Sequence, residues 1–171
     1  MFAQTDIEKY FIAEKQESLL FIVVGIIAII LALAFFFHWK TTFYKGAAIP
    51  LLVIGLIQAI VGLTVYSRSD SQRIENVYAY DMDPGKLKTQ ELPRMKKVNK
   101  NFIIYRWVEF FLILMGLILV FIFRNNEGGT FWYGLGITLA IQSAIMLGAD
   151  YFAEKRAIKY SSGLEIFVNK S

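Results

Sequence analysis

The chain alternates long apolar runs with polar segments, and this pattern predicts its architecture. Four apolar runs, at about 18–39, 46–66, 102–123 and 131–151, each reach the roughly 20 residues that a helix needs to cross a bilayer. Short turns close the first two runs and the last two into pairs, and a polar segment of about 67–101 separates the pairs. We predict one all-α polytopic membrane domain over 1–171, with four transmembrane helices as two tandem hairpins joined by a helical arm.

The arm contains its own helix signals. Asp83-Pro84-Gly85 divides it, because Pro and Gly form turns, and Thr89 to Pro93 is typical of a new helix start. We expect an antiparallel pair of arm helices; the alternative is a solvated basic loop against anionic headgroups. The helical pair would bury four apolar side chains that otherwise lack a burial site: Ile74, Val77, Met95 and Val98.

The two ends of the chain are predicted from local signals. Thr5 to Glu8 fits a capping box that starts an amphipathic lead into the first span, and no cleavable signal peptide is expected. Ser161-Ser162-Gly163 predicts the end of the last helix. Residues 164–168 are left open as a short strand or a docked tail.

The distribution of positive charge predicts the orientation. Of the eighteen Lys and Arg residues, fifteen belong to the tails and to the arm taken together with Arg106, and three (Lys40, Lys45 and Arg124) belong to the two short turns. Loops rich in Lys and Arg stay in the cytoplasm. We therefore expect a multi-pass protein of the bacterial inner membrane with both termini and the arm in the cytoplasm.

Composition and motifs bear on chemistry. Cysteine is absent and His38 is the single histidine, so thiolate chemistry and an imidazole metal cluster are excluded within one chain. Phosphate-binding loops, zinc signatures and nucleophile elbows are also missing. We expect no enzymatic activity, no cofactor and no metal. The basic arm lacks an aromatic stacking pattern, so the expected partner is the lipid bilayer or a protein and not nucleic acid.

Two short motifs recur and indicate an internal duplication. Thr42 to Gly46 (TFYKG) resembles Thr130 to Gly134 (TFWYG), and IQAI at 57–60 resembles IQSAI at 141–145. Both hairpins would start on the same side of the membrane, so the repeat axis would lie along the membrane normal. The alternative is chance similarity of apolar sequence.

Five polar residues in or near the spans are candidate functional groups. Gln58 and Gln142 lie near mid-span, so they should face the interior and could bond to each other. Glu109 needs a partner, a proton or water, with Arg106 three residues before it and Asp150 as a possible neighbour. Two interpretations stay open for the charged group: a proton or cation relay, or an ion pair that fixes helix depth.

Small residues predict close helix packing. Gly136, Ala140, Ala144 and Gly148 recur every four residues in the last span, and Gly55 and Ala59 form a shorter stripe in the second. Such stripes let two helices approach closely. Packing within one chain is the default expectation, and contact between copies in a homo-oligomer is the alternative.

Two stretches carry a resemblance to a known class of proteins. Lys9-Tyr-Phe with Ala-Glu-Lys and Glu17-Ser, and Glu91-Leu-Pro-Arg-Met with Lys100-Asn-Phe, Tyr105-Arg106 and Glu109, resemble small four-span bacterial inner-membrane proteins encoded beside secreted antibacterial toxins. The resemblance implies an immunity factor, with a pore-forming toxin as partner and no catalytic residues. The alternatives are a small transporter or channel subunit that uses Glu109 and the glutamines, and an accessory subunit of a larger membrane complex.

Overall fold

The structure is a computed structural model that describes residues 2–169, and this part of the chain folds into four long helices. Each helix is long and apolar enough to span a membrane, which confirms the all-α prediction and the presence of four such segments. A short 3-10 turn, Glu127–Gly129, precedes the last helix. The helices are α1 (Gln4–Trp39), α2 (Thr42–Met82), α3 (Pro84–Phe123) and α4 (Thr130–Val168).

All four helices continue past their predicted spans, and these extensions pack together as a four-helix bundle. We call this bundle the head; it comprises the segments 4–17, 67–82, 84–101 and 152–168. Its apolar core draws on every helix, with Ile7, Phe11, Leu87, Met95 and Leu164 at most 1% exposed. The arm is therefore not a free helical pair, because both ends of the chain pack against it. Within the arm, Met95 is buried as expected, but Ile74 is 65% exposed and that prediction was wrong.

Two predicted helix boundaries, one in the arm and one near the end of the chain, were also wrong. The helix after the turn starts at Pro84 and passes through a widened π-helical segment, Leu87–Glu91, instead of starting near Thr89. The last helix continues through Ser161–Gly163 to Val168, because Leu164 and Val168 are buried in the head core. Tertiary burial outweighs the weak helix preference of Ser and Gly in this segment.

The first helix starts two residues earlier than predicted. Ala3, not Thr5, precedes its first residue, and the Ala3 backbone N–H donates to Asp6 Oδ2 at 2.9 Å. The predicted break at Asp83 is present, since α2 ends at Met82 and the Asp83 carboxylate accepts from the Lys86 N–H. At the start of α1, Asp6 therefore accepts from the residue before the helix, which is the role that a capping box over Thr5 to Glu8 would give to Glu8.

Within the predicted spans, glycines bring neighbouring backbones into contact. A Cβ added at Gly25 in α1 would lie 2.6 Å from the Gly55 carbonyl oxygen in α2. A Cβ added at Gly116 in α3 would lie 2.7 Å from the Gly136 carbonyl oxygen in α4. These distances are below any normal contact, so side chains larger than hydrogen do not fit there. The large apolar side chains instead point outward, with Trp107 and Phe121 each 69% exposed.

The helices α2 and α4 pack side by side and run parallel. Contacts follow the same order along both: the rings of Phe43 and Tyr133 are 5.9 Å apart at the start, and those of Tyr80 and Phe167 stack at 4.6 Å in the head. At the start of the pair the contact is reciprocal. A Cβ on Gly46 would meet the Phe131 carbonyl oxygen, and a Cβ on Gly134 would meet the Phe43 carbonyl oxygen.

That reciprocity relates the two copies of the repeated motif. Gly46 and Gly134 close the two TF-containing motifs, and each touches the second residue of the other copy. Equivalent residues that exchange the same contact are the mark of a two-fold axis between two similar units. The axis implied by a parallel pair lies along the helices.

A buried polar network holds the centre of the head. Glu91, 4% exposed, accepts two hydrogen bonds from the Arg94 guanidinium, at 2.7 and 2.8 Å, and one from the Tyr160 hydroxyl at 3.1 Å. The Tyr10 ring stacks on Tyr160 with centroids 4.2 Å apart. Burial lowers the pKa of Arg94, but its hydrogen bonds to Glu91 outweigh this and raise the pKa overall. The network links α1, α3 and α4 in one place.

Candidate functional site

Glu109 is the most unusual side chain in the predicted spans. It lies on α3 near the head and is 3% exposed, and neither carboxylate oxygen accepts a hydrogen bond from an N–H or hydroxyl group of residues 2–169. Its expected partner was Arg106. The Arg106 side chain is 50% exposed and turns toward the head, where Nη2 donates to Glu154 Oε1 at 3.0 Å. Arg106, the partner that the sequence offered for an ion pair, therefore does not pair with Glu109.

Asp150 on α4 is the immediate neighbour of Glu109. The two carboxyl groups are within hydrogen-bonding reach of each other, and Asp150 is partly exposed where Glu109 is not. A hydrogen bond between two carboxyl groups requires a proton on one of them, because ionised carboxylates only accept. Asp150 thus connects the buried carboxyl to the surface of the head.

Sequence reasoning missed three residues that complete this cluster. Glu17 on α1 and Glu154 on α4 act electrostatically on Asp150, and Arg156 on α4 donates two hydrogen bonds to Glu17. Glu154 follows Asp150 by four residues and therefore lies on the same helix face, which was a usable signal. The pairing of Glu17 with Arg156 joins distant parts of the chain and left no local signal.

Charge in the cluster is not balanced. Arg106 pairs with Glu154 and Arg156 pairs with Glu17, which leaves Glu109 and Asp150 with no cation of their own among the ion pairs of the described residues. Burial lowers the pKa of Arg156, but its hydrogen bonds to Glu17 outweigh this effect and raise the pKa overall. The side chain therefore stays charged. The two guanidinium groups therefore pair with Glu17 and Glu154 and not with the central carboxyl groups.

The two glutamines of the predicted spans form a second polar contact. Gln142 Nε2 donates to Gln58 Oε1 at 2.8 Å between α4 and α2, and these side chains are 4% and 2% exposed. Ser143, the next residue on α4, is fully buried, and its hydroxyl has no hydrogen-bond partner among the described residues. His38 lies exposed at the other end of α1, far in the chain from either group.

The small-residue stripe of α4 does not form one surface. Gly136 and Ala140 pack on Gly116 of α3, but Ala144 is exposed and an added Cβ on Gly148 would meet nothing within 4 Å. The expectation that all four residues pack within the chain is therefore wrong for the second half of the stripe. Gly55 and Ala59 of α2 do pack, and both lie against Gly25 of α1.

The geometry suits proton chemistry better than metal binding. Among residues 2–169, no three His, Cys, Asp or Glu side chains converge closely enough to hold a metal ion. Two adjacent carboxyl groups with unused acceptor oxygens can instead hold one proton between them. Comparison with known protein families, with curated proteins and with solved structures finds no match for this chain, so function is inferred from this geometry and from the sequence.

Proposed function

We propose that this chain is a non-enzymatic membrane protein that acts by binding a partner within the bilayer. The observation that carries the proposal is the glycine contact between helices. At Gly25 the backbones of α1 and α2 are in contact, and at Gly116 those of α3 and α4 are in contact. Neither position has space for a side chain. Such close packing leaves the outer faces of the helices available for recognition.

The proposed setting is the inner membrane of a bacterium, with the head and both termini in the cytoplasm. The support is the charge distribution along the sequence, with fifteen Lys and Arg in the two tails and in the arm taken together with Arg106, against three in the opposite turns. Reporter fusions at each end and within the turn at Asn126 test it. An active periplasmic reporter on either terminus contradicts the proposed orientation.

The proposed partner is a secreted antibacterial toxin that inserts into the membrane, so the chain would be an immunity factor. The support is the resemblance of the segments around Glu17 and Glu109 to four-span immunity proteins. The test is to express the chain in sensitive cells with the toxin encoded beside it and to follow membrane potential. We expect the potential to survive in protected cells, and equal depolarisation with and without the chain contradicts the proposal.

Matched variants locate the recognition face. The span of α3 has the least buried apolar window of the four helices, at 11%, so its outer face is the first candidate. Replacing Trp107 and Phe121 together by Ala should remove protection while the protein still inserts. Replacing Ile60 and Leu63 on α2, which are 62% and 53% exposed, is the matched control and should leave protection intact. Protection that is insensitive to both pairs rules out these faces.

A second candidate function is a subunit of a small transporter or channel. The specific observation that favours it is Glu109, whose buried carboxylate accepts no hydrogen bond from a described donor. Buried charges in membrane segments often mark ion or proton pathways. The purified protein in liposomes should then give a pH-dependent flux that Glu109→Gln abolishes. Wild-type liposomes without any flux remove this candidate.

A further inference from the structure

The carboxyl groups of Glu109 and Asp150 lie together at the boundary between the spans and the head. Glu109 contributes two buried oxygens that receive no hydrogen bond from an N–H or hydroxyl of residues 2–169. Asp150 is the carboxyl group that faces it across the α3–α4 contact. A buried acceptor without a donor is costly, so this arrangement calls for something that the protein chain itself does not supply.

The surrounding charges do not satisfy the pair. The charged groups around it come from three helices: Glu17 on α1, Arg106 on α3, and Glu154 and Arg156 on α4. Each arginine is bound to one of the glutamates, Arg106 to Glu154 and Arg156 to Glu17. Two ionised carboxylates at the centre would therefore repel each other in a site of low polarity.

One proton resolves both problems at once. We propose that Glu109 and Asp150 form a proton-binding pair in which one proton bridges the two carboxyl groups. The carboxyl that holds the proton donates to an oxygen of the other, so the orphaned acceptor gains a hydrogen bond and one of the two charges disappears. Asp150, which is partly exposed, gives the proton its route to the aqueous side of the head.

The proposal is independent of transport. A bridging proton fixes α3 against α4 whether or not the proton ever crosses the membrane. A proton-binding pair in a protein without flux would remove the transporter candidate and leave this inference standing. The same pair in a protein with flux would place the inner proton site of the pathway here.

Infrared spectroscopy of the full chain in lipid nanodiscs tests the pair directly. A protonated carboxyl absorbs separately from a carboxylate, and its band shifts when water is exchanged for heavy water. We expect such a band at neutral pH in the wild type. Absence of the band at neutral pH overturns the proposal.

Two amide variants test whether the two carboxyl groups share one proton. In Glu109→Gln and in Asp150→Asn the new amide N–H replaces the bridging donor, so the remaining carboxyl is expected to ionise and the band to vanish in both. A band that survives in Asp150→Asn but vanishes in Glu109→Gln shows a lone protonated glutamate and overturns sharing. Glu165→Gln is the matched control, because Glu165 is 47% exposed and paired with Lys96, and it should leave the band unchanged.

Discussion

Gln142 donates a hydrogen bond to Gln58 across the parallel pair of α4 and α2, with Nε2 and Oε1 2.8 Å apart. The two residues occupy similar places in the repeated IQ motifs, so the contact joins one half of the chain to the other. Both side chains are buried among apolar helices, so each glutamine depends on the other for this hydrogen bond.

Removing one glutamine should cost more than removing both. Gln142→Leu leaves the Gln58 amide without its partner, whereas the double change Gln58→Leu/Gln142→Leu leaves no unsatisfied group. We expect a coupling free energy of about 0.6–2 kcal/mol, the range of hydrogen bonds between membrane helices. Unfolding by increasing SDS in mixed micelles measures it in a double-mutant cycle. Additive effects of the two single changes would show that the bond contributes nothing.

The reciprocal glycine contact should tolerate no side chain. An added Cβ would lie 2.0 Å from the Phe131 carbonyl oxygen at Gly46 and 2.2 Å from the Phe43 carbonyl oxygen at Gly134. Each single change to Ala should lower the free energy of unfolding by about 1–3 kcal/mol, because the clash is with backbone that must move. Both changes force the same two backbone segments apart. The double variant should therefore lose less free energy of unfolding than the sum of the two single losses.

Gly148 provides the control for those variants. An added Cβ there meets nothing within 4 Å, so Gly148→Ala should be neutral or stabilise by about 0.5–1 kcal/mol through helix preference. Thermal melts followed by circular dichroism compare the three variants. A loss of stability in Gly148→Ala as large as in Gly46→Ala would mean that the reported contact does not govern the result.

The head should behave as a true apolar core. Met95 is fully buried there, and Met95→Ala should lower the free energy of unfolding by about 2–5 kcal/mol. Ile74 lies in the same arm but is 65% exposed, so Ile74→Ala should change stability by less than about 0.5 kcal/mol. Limited proteolysis of the arm in detergent reports the difference. Equal protease resistance of the two variants would argue against the four-helix head.

Two tyrosines in the head should resist ionisation. Burial raises the pKa of both Tyr10 and Tyr160, and the charge of Glu91 raises that of Tyr160 further. A raised folded-state pKa contributes stability below the unfolded value of about 10, and that stability is lost as pH increases through the folded value. The head should therefore weaken in alkali.

An absorbance titration of tyrosinate checks this expectation. The buried tyrosines should ionise only when the protein unfolds, so part of the absorbance increase should coincide with unfolding. Tyr160→Phe should reduce that late part. Tyr78, which is 66% exposed, supplies the control, since Tyr78→Phe should leave the late part unchanged. Complete ionisation before any loss of helical signal would contradict the buried placement.

The candidate site shows where local patterns mislead. Arg106 precedes Glu109 by three residues, a spacing at which two helical side chains meet, yet Arg106 binds Glu154 instead. The guanidinium finds a largely buried partner on the head side, while Glu109 faces Asp150 on the next helix. Spacing along one helix shows which side chains are close enough to pair. Which of these pairs forms depends on the side chains of the neighbouring helix.

The local pattern was enough to predict the four long helices, because a long apolar run favours a helix that satisfies its own backbone hydrogen bonds, and it marked Asp83-Pro84 as the break between two of them. The packing of distant segments was needed to show that both chain ends join the arm in the head, that the last helix continues through Ser161, and that Ala144 and Gly148 of α4 are exposed. Helix formation depends on neighbours within a few residues. Burial of Leu164 or of Glu109 depends on helices that are distant in the chain, and their arrangement is set by which faces fit together.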